Sequence, residues 1–267
     1  MKLPIYQIDA FTSRLFGGNP AAVVTLTQWL ADDVLQAIAA ENNLAETAFV
    51  VPREDKAPLR WFTPTVEVDL CGHATLAAGH VLFAYHYPSR ATLSFSTRGG
   101  VLGVSREGDR LSLDFPSRPG VPIEVSDQLA AALGTRPREA YVARDLLAVF
   151  ETEHTIQTLR PDVGLIGTLD AFAVIVSAPG DAVDFVSRFF APRAGIPEDP
   201  VTGAAHCTLV PYWAARLGKT TLSARQLSHR GGELDCELCD DRVVITGRTV
   251  EYLRGEISVP DSPDITG

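Results

Sequence analysis

Three short stretches carry side chains suited to handling protons. Glu46 sits in NLAETAFVV, an otherwise apolar run. His73 follows Gly72 in DLCGHATL, and Asp199 lies in IPEDPVTGAAH just ahead of Gly203 and Ala204. A carboxyl among apolar neighbours suits general acid/base work near neutrality. The plainer account of Glu46 is an outward-facing strand position. His73 belongs to the start of a helix, where the positive end of the dipole disfavours its protonated form, so a neutral imidazole is expected. Its plainer account is a histidine with no chemical role. Asp199 is either a proton-handling group or a turn acid, and Glu198 beside it reads as a turn acid.

The elements that must position these groups are two glycine-led helices. Gly72 and Gly203 each precede a run of small and apolar residues. A helix N-terminus offers unpaired N–H groups and partial positive charge, and glycine lets a ligand approach the backbone closely. Two such ends facing one cleft would cradle an anion or a developing enolate. The expected donors are the N–H groups near Gly72 and His73, and those near Gly203 and Ala204.

These helices belong to an internal repeat. RGGVLGVSREGDRLSL (98–113) matches RGGELDCELCDDRVVI (230–245) without a gap, ATLSF (91–95) answers TTLSA (220–224), and RWFTP (60–64) answers RFFAP (188–192). With the glycine-led helices, four matches fall in one order at offsets between 128 and 132 positions. The chain therefore reads as two homologous halves, 1–117 and 118–251, joined near the proline-rich PSRPGVP (116–122). A final strand within 252–267 is expected to complete the first half. Each half reads as strands, a helix and a buried helix: 32–41 and 73–85 in the first, one near 181–190 and 203–217 in the second, with Pro211 kinking the last. The expected fold is α+β: pseudo-symmetric halves, each a curved, mostly antiparallel sheet rolled around a central helix.

Composition narrows the partners. Of 267 residues, 46% are hydrophobic, and the formal net charge is −10, which argues against nucleic acid or an anionic membrane surface. The absence of a long apolar run leads us to expect a soluble, cytoplasmic protein. Cys236 and Cys239 form a lone CxxC without two further ligands nearby, and they read as structural. No Walker or dinucleotide fingerprint is present, so neither metal nor cofactor is expected.

GGNP (17–20), NLAETAFV, RWFTP, LCGHAT and EDPVTGAAH, in this order, resemble the phenazine-biosynthesis PhzF-like family across nearly the whole chain. The resemblance implies the diaminopimelate-epimerase fold, a homodimer and cofactor-independent isomerisation of a small carboxylate. It assigns acid/base catalysis to Glu46, with His73 and Asp199 as partners, and carboxylate binding to the backbone of Gly72, His73, Gly203 and Ala204. Two departures stand out. Ala204 occupies a position where the family often has serine, which removes one hydroxyl from the substrate cradle. Cys71 sits where related epimerases place the first of two catalytic thiols, while the repeat puts Thr202 opposite it. Cys71 and Thr202 are thus weaker candidates, an epimerase using Glu46 with Cys71 is the alternative activity, and a non-catalytic carboxylate-binding protein is the alternative class.

Overall fold

The computed structural model describes residues 1–260. The chain divides into two compact units. One comprises Met1–Asp114 with the chain from Thr246 onward, and the other comprises Phe115–Ile245. The expected tail strand lies partly outside the described residues. What is described of it continues the strand Arg242–Ser258, whose later part runs antiparallel to Lys2–Ala10 from Thr249 to Ser258. The return to the first unit thus starts at 246 rather than 252.

In the first unit, Lys2–Ala10 pairs antiparallel with Asn19–Thr25, which is parallel to Glu46–Val50. Glu46–Val50 is antiparallel to Ala57–Phe62, which is parallel to Thr92–Thr97, and a hairpin with Gly100–Glu107 follows. The second unit repeats this order with Glu139–Val142, Leu146–Val149, Val174–Pro179, Phe185–Ala191, Thr221–Gln226 and Gly232–Cys239. The parallel and antiparallel pairings recur at the same places, so the repeat read from sequence is a repeat of sheet topology.

Each sheet is covered on both faces, which is why strand runs such as AAVV (21–24) are continuously apolar. In the first unit one face carries the helix Asp32–Asn42, whose Val34, Leu35, Ile38 and Ala39 pack on Ala22, Val24 and Phe49. The helix Gly72–Val81 packs against the unit's first strands, with every residue except His80 buried, as a helix apolar all round must be. It ends in a π-helical turn, Leu82–His86.

In the second unit, alternation along Val174–Pro179 separates the two layers. Val174, Val176 and Ala178 pack with Leu129, Ile156 and Ile166 of three short helices, Asp127–Leu133, Glu153–Thr158 and Val163–Thr168. Ser177 accepts a hydrogen bond from Trp213 Nε1 on the other side. Trp213 belongs to the helix Gly203–Leu217, which occupies the expected range despite Pro211. Pro211 has no N–H to give to the carbonyl of Cys207. The backbone N–H of Arg118 takes that place at 2.8 Å, so part of the expected linker stitches the helix.

The helix expected near 181–190 is not formed. Phe185–Ala191 is a strand, buried along almost its whole length. An apolar run covered on both faces loses its period of two, and DFVSRFF is then indistinguishable from a buried helix by pattern alone. The three short helices ahead of it are capped by Ser126, Thr152 and Asp162.

Candidate active site

The parallel strands Asn19–Thr25 and Glu46–Val50 start side by side, with Ala21 opposite Glu46. The helix Gly72–Val81 begins at the same end. Glu46 Oε2 lies 3.2 Å from His73 Nε2, and both side chains are nearly inaccessible, at 12% and 6% exposure. On the other side of the ring, His73 Nδ1 lies 3.2 Å from the Asn19 side-chain amide and 3.6 Å from Cys71 Sγ. Glu46, Cys71 and His73 form the one group of potential metal ligands found among the described residues, their ligand atoms lying within 4.8 Å of one another. The two ring nitrogens face different partners, so the set forms a proton network more readily than a single-ion site. Cys236 is buried and Cys239 exposed three positions along one strand, on opposite faces.

Burial works against charge on the His73 ring, but its placement beside Cys71 and the Glu46 carboxylate outweighs it, and the ring's pKa stands well above its ordinary value. The thiol contributes only once ionised, and burial, reinforced by Glu46, pushes Cys71 up. The neutral imidazole expected from the helix dipole meets a stronger opposing influence. A terminus is worth about 1 kcal/mol, whereas a carboxylate at hydrogen-bond distance is worth more.

The helix Gly72–Val81 starts at Cys71 with no side-chain cap. The helix Gly203–Leu217 also starts without one, at Thr202. Ahead of it, the EDPVT turn is tightly built. The Thr202 hydroxyl donates to Asp199 Oδ2 in a short hydrogen bond. Gln226 Oε1 accepts from Thr202 N–H at 2.8 Å, and Gln226 Nε2 donates to the Asp199 carbonyl at 2.8 Å. His206 Nδ1 lies 2.9 Å from the Thr202 carbonyl, and burial lowers its pKa to about 4.

The structure thus brings together Glu46, Cys71, Gly72 and His73 in one unit, and Asp199, Thr202, Gly203 and Ala204 in the other. Glu198 is engaged by Arg188 in a bidentate pair. Sequence reasoning missed Asn19 and Gln226. Asn19 lies in GGNP, where glycine and proline signal a turn and nothing in the linear chain points to a role for the amide. Gly18 there has φ +63°, and a Cβ on it would meet the Ala10 carbonyl oxygen at 2.1 Å, so the turn admits no side chain at that position.

The model of the family described as "Phenazine biosynthesis-like protein" matches residues 8–255. This chain belongs to the phenazine biosynthesis-like family. It is 50% identical over 258 residues to an uncharacterized isomerase of Pseudomonas aeruginosa, spanning 96% of this chain and 99% of the relative. It is 42% identical to the human phenazine biosynthesis-like domain-containing protein, spanning 97% of this chain and all of the relative. The crystal structure of a phenazine biosynthesis protein of the PhzF family from Enterococcus faecalis superposes with a TM-score of 0.95 at 48% identity, covering 97% of this chain and all of that one. A probable proline racemase from Agrobacterium radiobacter shares the fold at a TM-score of 0.64 and 11% identity, covering 98% of this chain and 94% of that one. The phenazine biosynthesis-like chain described here is accordingly an isomerase with an epimerase-type α+β fold. Among the described residues, no helix is long and apolar enough to cross a membrane.

Proposed function

We propose that this isomerase moves a proton between carbons of a small carboxylate substrate without a cofactor, using Glu46 as the general acid/base. The observation that carries the reading is the Glu46 carboxylate, only 12% exposed, held 3.2 Å from His73 Nε2 at the start of an uncapped helix. In this reading Glu46 accepts the proton of an activated C–H bond. The electron pair of that bond moves into the adjacent unsaturation, and the proton returns from Glu46 to another carbon on the same face. His73 orients the carboxylate and balances its charge. The first N–H groups of the helix, at Gly72 and His73, bind the substrate carboxylate or the shifted charge. Asp199, held by Thr202, and the N–H groups of Gly203 and Ala204 are assigned to substrate positioning.

The second reading, an epimerase pairing Glu46 with Cys71, is favoured by the closeness of Cys71 Sγ to the His73 ring. It is opposed by the burial that keeps this thiol protonated, because a thiolate is the competent base.

The test is incubation in D2O with small cyclic and hydroxylated amino and keto acids, read by NMR, with Glu46→Gln alongside. Deuterium entering a C–H position in the parent protein and falling by roughly 100-fold or more in the variant is the expected result. Uptake that survives in Glu46→Gln overturns the assignment. Tight binding with no exchange points to the non-catalytic carboxylate-binding class.

A further inference from the structure

Glu46 Oε2 lies 3.2 Å from His73 Nε2, and a carboxylate attracts a proton but donates none, so this pairing favours a proton on Nε2. The charge on the ring is then decided at Nδ1, which is bare in the neutral form and protonated in the imidazolium. Two side chains face that atom: Cys71 Sγ at 3.6 Å and the Asn19 amide at 3.2 Å. A thiol is a weak partner in either direction. A carboxamide is a good one in both, since its NH2 donates to a bare nitrogen and its oxygen accepts from N–H. The two orientations differ by a half-turn about a torsion that is nearly two-fold.

In the structure Asn19 presents Nδ2 to the ring, the orientation that matches a neutral imidazole. The surroundings favour a charged one, because Glu46 lies 3.2 Å from Nε2 and Cys71 adds a second negative charge when ionised. We propose that Asn19 is a positioning residue that serves both charge states of His73, turning its amide end for end as Nδ1 gains or loses its proton. The ring keeps its place against Glu46 in either state. This inference rests on the reading of Glu46 and His73 as the acid/base pair, yet its test needs no substrate.

Full-length 15N-labelled protein is titrated by NMR over the pH range in which it stays folded, following the His73 ring nitrogens and the Asn19 side-chain NH2. The amide signals are expected to shift together with the ring. Asn19→Asp, which offers only acceptors at Nδ1, is expected to raise the ring's proton affinity roughly tenfold or more. Asn19→Leu offers neither donor nor acceptor, and its neutral ring is expected to populate both tautomers. Three results overturn the proposal: Asn19 signals indifferent to the ring's titration, a ring confined to one charge state throughout, or a proton affinity unchanged in Asn19→Asp. The wild-type titration decides the matter even where a variant fails to fold. Glu46→Gln retaining exchange would sink the catalytic reading and leave these signals untouched.

Discussion

Arg188 grips Glu198 through two parallel hydrogen bonds, Nε to Oε1 at 2.7 Å and Nη2 to Oε2 at 2.9 Å. Arg60, its counterpart in the repeat, grips Glu67 with the same pair of distances. This explains why both halves open the motif with arginine: each guanidinium ties its strand to the chain leading into a glycine-led helix. Arg188 Nη1 also donates to the carbonyls of Ile156 and Leu159, at the end of a short helix. Lysine keeps the charge and loses the planar fork. Arg188→Lys is expected to cost about 2 kcal/mol in urea unfolding at unchanged m-value. A variant as stable as the parent would reduce the clamp to a surface ion pair.

Gln226, only 1% exposed, bridges the two ends of the EDPVT turn. Gln226→Leu keeps the bulk and leaves the Thr202 N–H and the Asp199 carbonyl without these partners. The expected cost is about 2–4 kcal/mol of stability. KM should rise more than kcat falls, because the turn precedes the Gly203 and Ala204 N–H groups. A fall confined to kcat would place Gln226 nearer the chemistry than the turn.

Cys71→Ser separates the two readings of the reaction. With Glu46 as sole base, turnover should drop less than about tenfold, the loss coming from a changed neighbour of His73 Nδ1. With Cys71 as second base, hydroxyl for thiol should cost turnover as heavily as Glu46→Gln. Steady-state rates of the two variants on one substrate decide it.

His206 makes stability fall on mild acidification. Its folded pKa is about 4, lowered by burial, against about 6.5 for an unfolded histidine. The unfolded state binds the proton first, so stability is full above about pH 6.5 and is lost progressively as pH falls toward 4. The loss attributable to this ring is about 3 kcal/mol. Unfolding free energies measured across that window should fall less steeply for His206→Gln than for the parent, and equal slopes would remove His206 as the cause.

The repeat and the two glycine-led helices are legible in the linear chain, and Glu46, His73, Asp199, Gly203 and Ala204 stand out in it as candidates. Duplicated motifs keep their order, and turns advertise themselves through glycine and proline. A final strand is expected within 252–267, and what is described of it continues the strand Arg242–Ser258. Phe185–Ala191 is not legible as a strand, because burial on both faces erased its period.

What tertiary structure alone decided is which polar atoms meet. Asn19 and His73 stand 54 positions apart, Gln226 and Thr202 24 apart, and neither separation corresponds to any helix or strand period. Arg118 meets the Cys207 carbonyl only because Pro211 leaves it unpaired. A buried polar group must find a partner wherever the fold brings one. The sequence names the groups in need, and the folded chain chooses the partner.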